Sequence, residues 1–333
     1  MILVTGATGY IGSHLCLELV RRGEEIFMVD DGSNSGFNVY NAINNMAVAL
    51  NKPRPRYKCV DVTRAGLGSV PLNAQVESIF HLAGVKSLAE SFVKPSAYFT
   101  TNVGGTAKVL ETYKNCKRFV FSSSAAVYAP SSSSGVFTEK SLTGPLSPYG
   151  QSKLMAEQVI EAHAQAHPLT FKYAALRYFN PVGVDASGVL KEAPKGPPNN
   201  LMPYLARVAT GEFPFLTVYG NDYDTPDGTA VRDYIHITDL VDAHLAAHAA
   251  LAPNPSFTLN LGSGKGLSVT EMTSLYSQAS GLNLPVRYAP RRLGDLPTLL
   301  ANASKAKRLI GWAPKFDAAA MCRDSWNSVK PKI

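Results

Sequence analysis

Tyr149 stands four residues before Lys153 in Ser147-Pro148-Tyr149-Gly150-Gln151-Ser152-Lys153, and the chain opens on a glycine-rich run, Gly6-Ala7-Thr8-Gly9-Tyr10-Ile11-Gly12. Ser147 suits a helix N-cap and Pro148 a first helical position, so the spacing predicts a helix with Tyr149 and Lys153 on one face. A phenol of ordinary pKa ~10 is a poor base at neutral pH, but a neighbouring ammonium and a cationic nicotinamide ring both favour the phenolate. Tyr149 is therefore a candidate proton acceptor for a sugar or alcohol hydroxyl whose carbon gives up hydride.

The glycine run supplies the nucleotide half of that chemistry. Gly6, Gly9 and Gly12 are spaced G-x-x-G-x-x-G between an apolar strand and a helical segment. Such glycines serve a tight turn, a close approach of backbone to pyrophosphate, and close packing of helix on strand, with phosphate at the helix N-terminus. Asp30 ends the second strand eighteen residues after Gly12. A carboxylate there accepts both adenosine ribose hydroxyls and repels a 2′-phosphate. No arginine follows in Asp31-Gly32-Ser33-Asn34-Ser35, so the reading is NAD rather than NADP. Asp61 and Val62, after the third strand, are placed to meet the adenine edge, and Asn34 with Ser35 to hold pyrophosphate or ribose. For Asp61 and Asn34 the alternative is ordinary turn chemistry.

These residues need strands to project them. Apolar runs at Ile2 to Val4, Ile26 to Val29, Tyr57 to Val60, Ser78 to Leu82, Phe119 to Ser122 and Tyr173 to Arg177 alternate with amphipathic stretches, the pattern of βαβ units. The fold class is α/β: a doubly wound, Rossmann-type parallel sheet with a smaller, discontinuous C-terminal substrate lobe. Its crevice opens past the strand ends. Gly6, Asp30, Asp61, Ala83-Gly84, Ser122 to Ser124 and Tyr178-Phe179-Asn180 all follow expected strands. Residues 1–180 are expected to form the NAD-binding domain and 181–333 a second lobe, with a boundary in the loop-rich stretch around Ala193-Pro194-Lys195-Gly196-Pro197-Pro198-Asn199-Asn200. A strand at Val231 to Ile237 and a helix from Thr238 to about Leu251 are expected to return to the first sheet, so that a segment of about 231–260 rejoins it.

The 333 residues, 45% hydrophobic, can bury a large core. The 32 basic and 25 acidic residues give a net charge of +7, scattered in a way that fits an acidic small molecule better than nucleic acid. Cys16, Cys59, Cys116 and Cys322 lie far apart, which suggests neither disulfides nor zinc and fits a reducing cytoplasm. The N-terminus shows no leader, and no apolar run reaches spanning length. Ser131 to Ser134 reads as an exposed loop. The pairs His163/His167 and His244/His248 lack the glutamate and third ligand of a metal site and are read as polar helix faces. Gly262-Ser263-Gly264-Lys265-Gly266 lacks the first glycine of a phosphate loop, and no G-x-S-x-G elbow is present.

Nearly end to end, the chain resembles the UDP-glucose/UDP-galactose 4-epimerases of the extended short-chain dehydrogenase/reductase family. The likeness is carried by the glycine run through Ser13-His14, Phe121-Ser122-Ser123-Ser124-Ala125, the Ser147 to Leu154 block and Leu176-Arg177-Tyr178-Phe179-Asn180-Pro181-Val182-Gly183. It continues through Pro198 to Tyr204, Tyr219-Gly220-Asn221-Asp222-Tyr223, Arg232-Asp233-Tyr234-Ile235-His236 and Ala289 to Pro297. The resemblance implies that Tyr149 takes the proton of the sugar 4-hydroxyl while C4 passes hydride to tightly held NAD. A 4-keto sugar then turns over and regains the hydride on its other face. It implies that Lys153 binds the nicotinamide ribose and holds the Tyr149 pKa down, and that Ser124 hydrogen-bonds the reacting hydroxyl.

The same resemblance puts Leu82, Ala83, Gly84, Lys86, Asn102 and Tyr178 at the cofactor. On the UDP-sugar side it puts Asn180, Asn200, Leu201, Thr217, Tyr219, Arg232, Arg292 and Asp295, and a forked guanidinium suits a diphosphate. It also implies a homodimer built on a helix bundle that includes the Tyr149 helix. Two positions depart from the pattern. Ala126 replaces a frequent threonine, and Leu299 occupies a gate intermediate between a tyrosine, which confines the pocket to glucose and galactose, and a small residue, which admits N-acetylated sugars. The expected substrates are UDP-glucose and UDP-galactose, with the N-acetyl pair as the alternative. A sugar dehydratase would need an acid and a base where Ala125-Ala126 stand. A net dehydrogenase would exchange NAD freely, and a silent NAD-sensing protein would be free to lose Ser124, Tyr149 and Lys153.

Overall fold

In a computed structural model, the structure describes residues 1–64, 67, 76–130, 134–190, 196, 198, 200–292 and 294–330. Ser131 to Ser133 of the expected serine loop, Ala193 to Lys195, Pro197 and Asn199 of the expected boundary, Leu293 and the last three residues lie outside the described residues.

β1 (Ile2–Thr5) is buried at every position and leads through the glycine turn into α1 (Tyr10–Arg21). β2 (Ile26–Asp30), α2 (Phe37–Ala49), β3 (Arg56–Cys59) and β4 (Ser78–His81) follow. α3 (Leu88–Val93) and α4 (Pro95–Tyr98) run into a π-helical segment, Phe99–Gly104, that continues as α5 (Gly105–Thr112). β5 (Arg118–Ser124) ends in a 3-10 turn, Ala125–Val127, ahead of the short β6 (Val136–Phe137). Then come α6 (Pro148–Ala166), β7 (Lys172–Tyr178), β8 (Asn180–Val182), α7 (Leu201–Ala209), β9 (Leu216–Tyr219), β10 (Val231–His236), α8 (Ile237–Ala250) and β11 (Phe257–Leu261). The chain closes with β12 (Gly266–Ser268), α9 (Val269–Ser280), β13 (Val286–Ala289), β14 (Thr298–Ala301), α10 (Ser304–Ile310) and α11 (Ala318–Val329).

Seven of these strands form one sheet in the order β11-β7-β5-β4-β1-β2-β3, every neighbour parallel. Helices cover both faces, which is why its strands read as nearly unbroken apolar runs. Alternate residues take opposite faces: Leu3, Phe27 and Val29 join Val109 of α5 and Ile160 of α6, while Val4, Ile26 and Met28 join Leu15 of α1 and Leu240 of α8. Each such fully buried side chain contributes roughly 1.5–3 kcal/mol. The strand order reverses at β1, between β2 and β4, and a doubly wound sheet opens its crevice there.

A second sheet runs β12-β10-β14-β6, with β8 also on β10, and β9 pairs with β13 apart from it. Met202 of α7, Tyr276 of α9 and Met321 of α11 share a core beside it. Here the sequence reading needs correction. The strand expected at Val231 to Ile237 ends at His236 and does not join the first sheet; only α8 and β11 return to it. The reason lies in Asp233, whose buried carboxylate accepts the N–H groups of Ser263, Gly264 and Ala301 and so ties β10 to β14. β8 leaves β7 after one residue and pairs with β10 in parallel, drawing it the same way.

Candidate active site

The first turn of α6 forms as its sequence implies: the Ser147 hydroxyl accepts the Gly150 N–H at 3.1 Å, and Pro148 occupies the first helical position. Tyr149 and Lys153 then share the face turned to the end of β5. Lys153 Nζ donates to the Ser122 carbonyl at 2.8 Å and lies 5.0 Å from the centre of the Phe121 ring. Burial pulls its pKa down to about 8, against the opposing negative charge of Glu157. Burial pushes the Tyr149 phenol up, and a hydrogen bond with Ser124 draws it part of the way back. In the protein without cofactor the Lys153 ammonium donates to a backbone carbonyl, and burial is the larger influence on the phenol. Tyr178, from β7, pairs its phenol with the Ser122 hydroxyl on the same floor.

At the glycine turn, Gly6 adopts φ +67, and a Cβ on Gly12 would stand 2.1 Å from the Gly6 carbonyl oxygen. Gly9 caps α1 without a side chain, so backbone alone faces the cleft at that helix N-terminus. Asp30 is buried and oriented by its own neighbours, accepting the Thr8 N–H at 3.0 Å and the Gly32 N–H at 2.9 Å. Ser35 exchanges a hydrogen bond with Thr8 at 2.7 Å. Asp61 turns its carboxylate onto the N–H and hydroxyl of Thr63, and these bonds with Arg64 outweigh burial and lower its pKa. The turn alternative for Asp61 is therefore realised, although Asp61 and Val62 also line the cleft.

Asn102 is the one expected site residue that does not line the cleft. It is buried in the π-helical segment, where it accepts the Val85 N–H at 2.9 Å and donates to the Val85 carbonyl and to Ser152 Oγ. Its amide thus shapes the loop that carries Ala83, Gly84 and Lys86, and a Cβ on Gly84 would press to 2.6 Å from it.

The opposite end of the cleft is built from segments far apart in the chain. Arg232 Nη2 donates to Asp295 Oδ1 at 2.6 Å, and Nη1 donates to the Leu296 carbonyl at 2.8 Å. The Arg292 guanidinium stacks 4.0 Å from the centre of the Tyr219 ring. Asn180 donates to the Asp233 carbonyl at 3.0 Å, and Asn200 caps α7 just before Leu201. Leu299 sits opposite Arg232 in the β10–β14 register. With Thr217 and Leu82, all these residues line one cleft of about 860 Å³ that runs unbroken from Gly6 and Asp30 past Tyr149 to Arg292. Phe179, Tyr204 and Tyr234, which sequence reasoning gave no site role, are also among its walls; Phe179 carried a signal in the run past a strand end, and Tyr204 and Tyr234 lay within the blocks that carry the resemblance.

One dismissed signal takes a different form in the structure. His244 is no polar face: it is fully buried, donating from Nδ1 to the Leu240 carbonyl and packing 5.8 Å from Tyr178. His163 and His167 lie ring to ring at 4.4 Å, and no cluster of three metal-ligating side chains occurs among the described residues. The N–H groups of Ser263 and Gly264, which a phosphate would need, are given to Asp233.

Residues 2–262 match the NAD dependent epimerase/dehydratase family. The chain is 43% identical over 330 residues to the UDP-glucose 4-epimerase of Bacillus subtilis (strain 168), covering 98% of this chain and 95% of that one. Its fold superposes on the crystal structure of UDP-glucose 4-epimerase from Bifidobacterium longum in complex with NAD+ and UDP with a TM-score of 0.92 at 39% identity, covering 98% and 97% of the two chains. A UDP-glucose 4-epimerase from Stenotrophomonas maltophila, with bound NAD and formylated UDP-arabinopyranose, superposes with a TM-score of 0.91 at 39% identity and the same coverage. With more than half its length in the family match and relatives this similar across almost the whole chain, the protein belongs to the NAD dependent epimerase/dehydratase family.

Proposed function

We infer that the chain is an isomerase, a UDP-glucose 4-epimerase that interconverts UDP-galactose and UDP-glucose with NAD as its bound cofactor. The observation that carries this reading is one continuous cleft with Tyr149, Ser124 and Lys153 on its floor, a side-chain-free helix N-terminus at one end and an arginine pair at the other. The residues present fit NAD: Gly6, Gly9 and Gly12 let strand, turn and helix N-terminus pack closely with no side chain over the cleft, a Cβ on Gly12 meeting the Gly6 carbonyl oxygen at 2.1 Å, and Asp30 offers a carboxylate for the adenosine ribose. When bound, NAD supplies the acceptor, and afterwards the donor, of the hydride at C4. Tyr149 takes the proton of the 4-hydroxyl and returns it, with Ser124 bonded to the same phenol as the relay. Lys153 reaches the nicotinamide ribose from its place on the Ser122 carbonyl. Arg232 and Arg292 hold the diphosphate, Asp295 the uridine ribose, and Tyr219 with Asn180 and Asn200 frames the nucleotide. Ala125 and Ala126 offer no acid or base on that wall, so the keto sugar turns over and is reduced without losing water.

Residues 1–180 with the returning α8 and β11 serve the cofactor and the remainder the sugar nucleotide. Exposed Val93 of α3 and Met155 of α6, on helices that contact each other, support a homodimer through the Tyr149 helix. The four cysteines are free, three of them buried, which supports a reducing, cytoplasmic setting. Galactose use or supply is the role such an interconversion serves.

The test is purified protein given UDP-galactose deuterated at C4 and no added NAD. UDP-glucose should appear with the label kept at C4, and Tyr149→Phe should slow it by at least about 10²-fold. Label lost to water, or turnover only with added NAD, defeats the reading. Leu299 faces the sugar as an intermediate gate, so UDP-glucose and UDP-galactose are the main pair. Leu299→Tyr should abolish any slow turnover of the N-acetyl pair while changing UDP-galactose turnover by less than about threefold.

A further inference from the structure

Three successive turns of α6 reach three successive residues at the end of β5. Tyr149 bonds with Ser124, Lys153 donates to the Ser122 carbonyl at 2.8 Å, and Glu157 accepts the Ser123 hydroxyl. Tyr149 and Lys153 line the cleft, whereas Glu157 does not, its side chain being only 9% exposed. Arg177 of β7 grips both Glu157 oxygens, Nε to Oε1 at 2.9 Å and Nη2 to Oε2 at 2.6 Å. Its Nη1 continues to Tyr128, which donates to Asn260. A buried ion pair is weak evidence of stabilisation, since apolar residues of the same volume often serve as well or better. Its place one turn below the two reacting side chains calls for another account.

The surroundings of Lys153 supply it. On β4, His81 is held neutral, burial and then Lys153 itself lowering its pKa to about 3. On β7, burial pushes Tyr178 up, so it is neutral, and Arg177 is committed to Glu157. On α6 itself Tyr149 is likewise pushed up. In the helical layer packed on α6, Tyr98 is pushed up by burial and by Glu90, Glu90 is bonded to Lys94, and Asn102 is uncharged. Among the described residues, Glu157 is the carboxylate that acts on Lys153.

We propose that Glu157 is a positioning residue for the epimerase reaction, its carboxylate keeping Lys153 in the ammonium form from behind the cleft, while Arg177 fixes that carboxylate in place and moderates its charge. The proposal rests on the epimerase reading, because it gives Lys153 its task.

The test separates the two. Protein carrying ¹³Cε-lysine is titrated by NMR, with the Lys153 signal assigned by its loss in Lys153→Met, and kcat is followed over the same pH range. Glu157→Gln should lower the Lys153 midpoint, and with it the alkaline limb of kcat, by roughly one pH unit. Glu157→Asp keeps the charge and should hold the midpoint within about 0.3 unit while lowering the melting temperature, because its shorter stem loses reach to Ser123 and Arg177. Arg177→Lys frees one oxygen and should move the midpoint upward. An unmoved midpoint in Glu157→Gln, with kcat falling equally at every pH, would make Glu157 purely structural and overturn the proposal. Should Glu157→Gln fail to fold, a displaced midpoint in Glu157→Asp or a downward shift in Arg177→Lys overturns it instead. Wild-type protein that titrates as described but does not epimerise would sink the functional reading alone.

Discussion

The two ends of the cleft are built on different principles. At the glycine end, residues close in sequence are fixed by backbone: Gly6 bends at positive φ, Gly12 touches it, and Asp30 is held by the N–H groups of Thr8 and Gly32. At the arginine end, side chains from distant segments hold each other, Arg232 with Asp295 across 63 residues and Arg292 on a Tyr219 ring that is 38% exposed. Close-packed backbone has no room to adjust, whereas long, partly solvated side chains do. The first end should therefore fail abruptly and the second by degrees.

The sharpest break is expected from Gly12→Ala. The new methyl would lie 2.1 Å from the Gly6 oxygen, and neither backbone segment can withdraw without opening the turn. Protein purified from this variant should lack NAD absorbance and epimerase activity together; retention of NAD at wild-type stoichiometry would show the turn to be more pliant than its packing implies.

Lys153→Met, between the two ends, should cost about 10²-fold or more in kcat yet leave the fold no less stable. The sign follows from its lowered pKa. In the unfolded chain lysine titrates near ~10.4, and in the folded protein near about 8. Folding therefore works against the ammonium below about 8, a cost that fades as pH rises towards ~10.4. The lysine thus withholds on the order of 3 kcal/mol at neutral pH, less whatever its bond to Ser122 returns. Melting curves should show Lys153→Met equal to or above wild type at pH 7, with the difference shrinking by about pH 10. A clear fall in melting temperature at neutral pH would contradict this.

Arg232→Ala should give the mildest of these effects on chemistry. Truncation leaves Asp295 partly exposed, where water can replace its partner. Steady-state kinetics should show KM for UDP-galactose raised about 10- to 100-fold, with kcat within about threefold, since the diphosphate is held alike before and during hydride transfer. A fall in kcat as large as the rise in KM would place Arg232 nearer the reacting carbon than its geometry allows.

What was legible in the sequence follows the same division. Tyr149, Lys153 and the glycines could be read because their chemistry is local: a four-residue helical spacing and a strand, turn and helix in succession. Asn102 was expected at the cofactor but works through its amide on Val85, since nothing in its neighbourhood marks the π-helical turn that buries it. The strand from Val231 was sent to the wrong sheet because apolar periodicity gives a strand its faces, not its partners; Asp233, invisible to that pattern, chose them. His244 misled for a related reason, its ring filling space beside Tyr178.

By itself the sequence determined which residues could exchange a proton and cradle a dinucleotide, because spacing along a helix or a turn carries that information over a few residues. Only the tertiary structure decided that Arg232 meets Asp295, that Leu299 stands opposite Arg232, and that Arg177 grips Glu157. Those contacts join segments that diffuse independently in the unfolded chain, so only the packed sheets and the charges buried between them could select them.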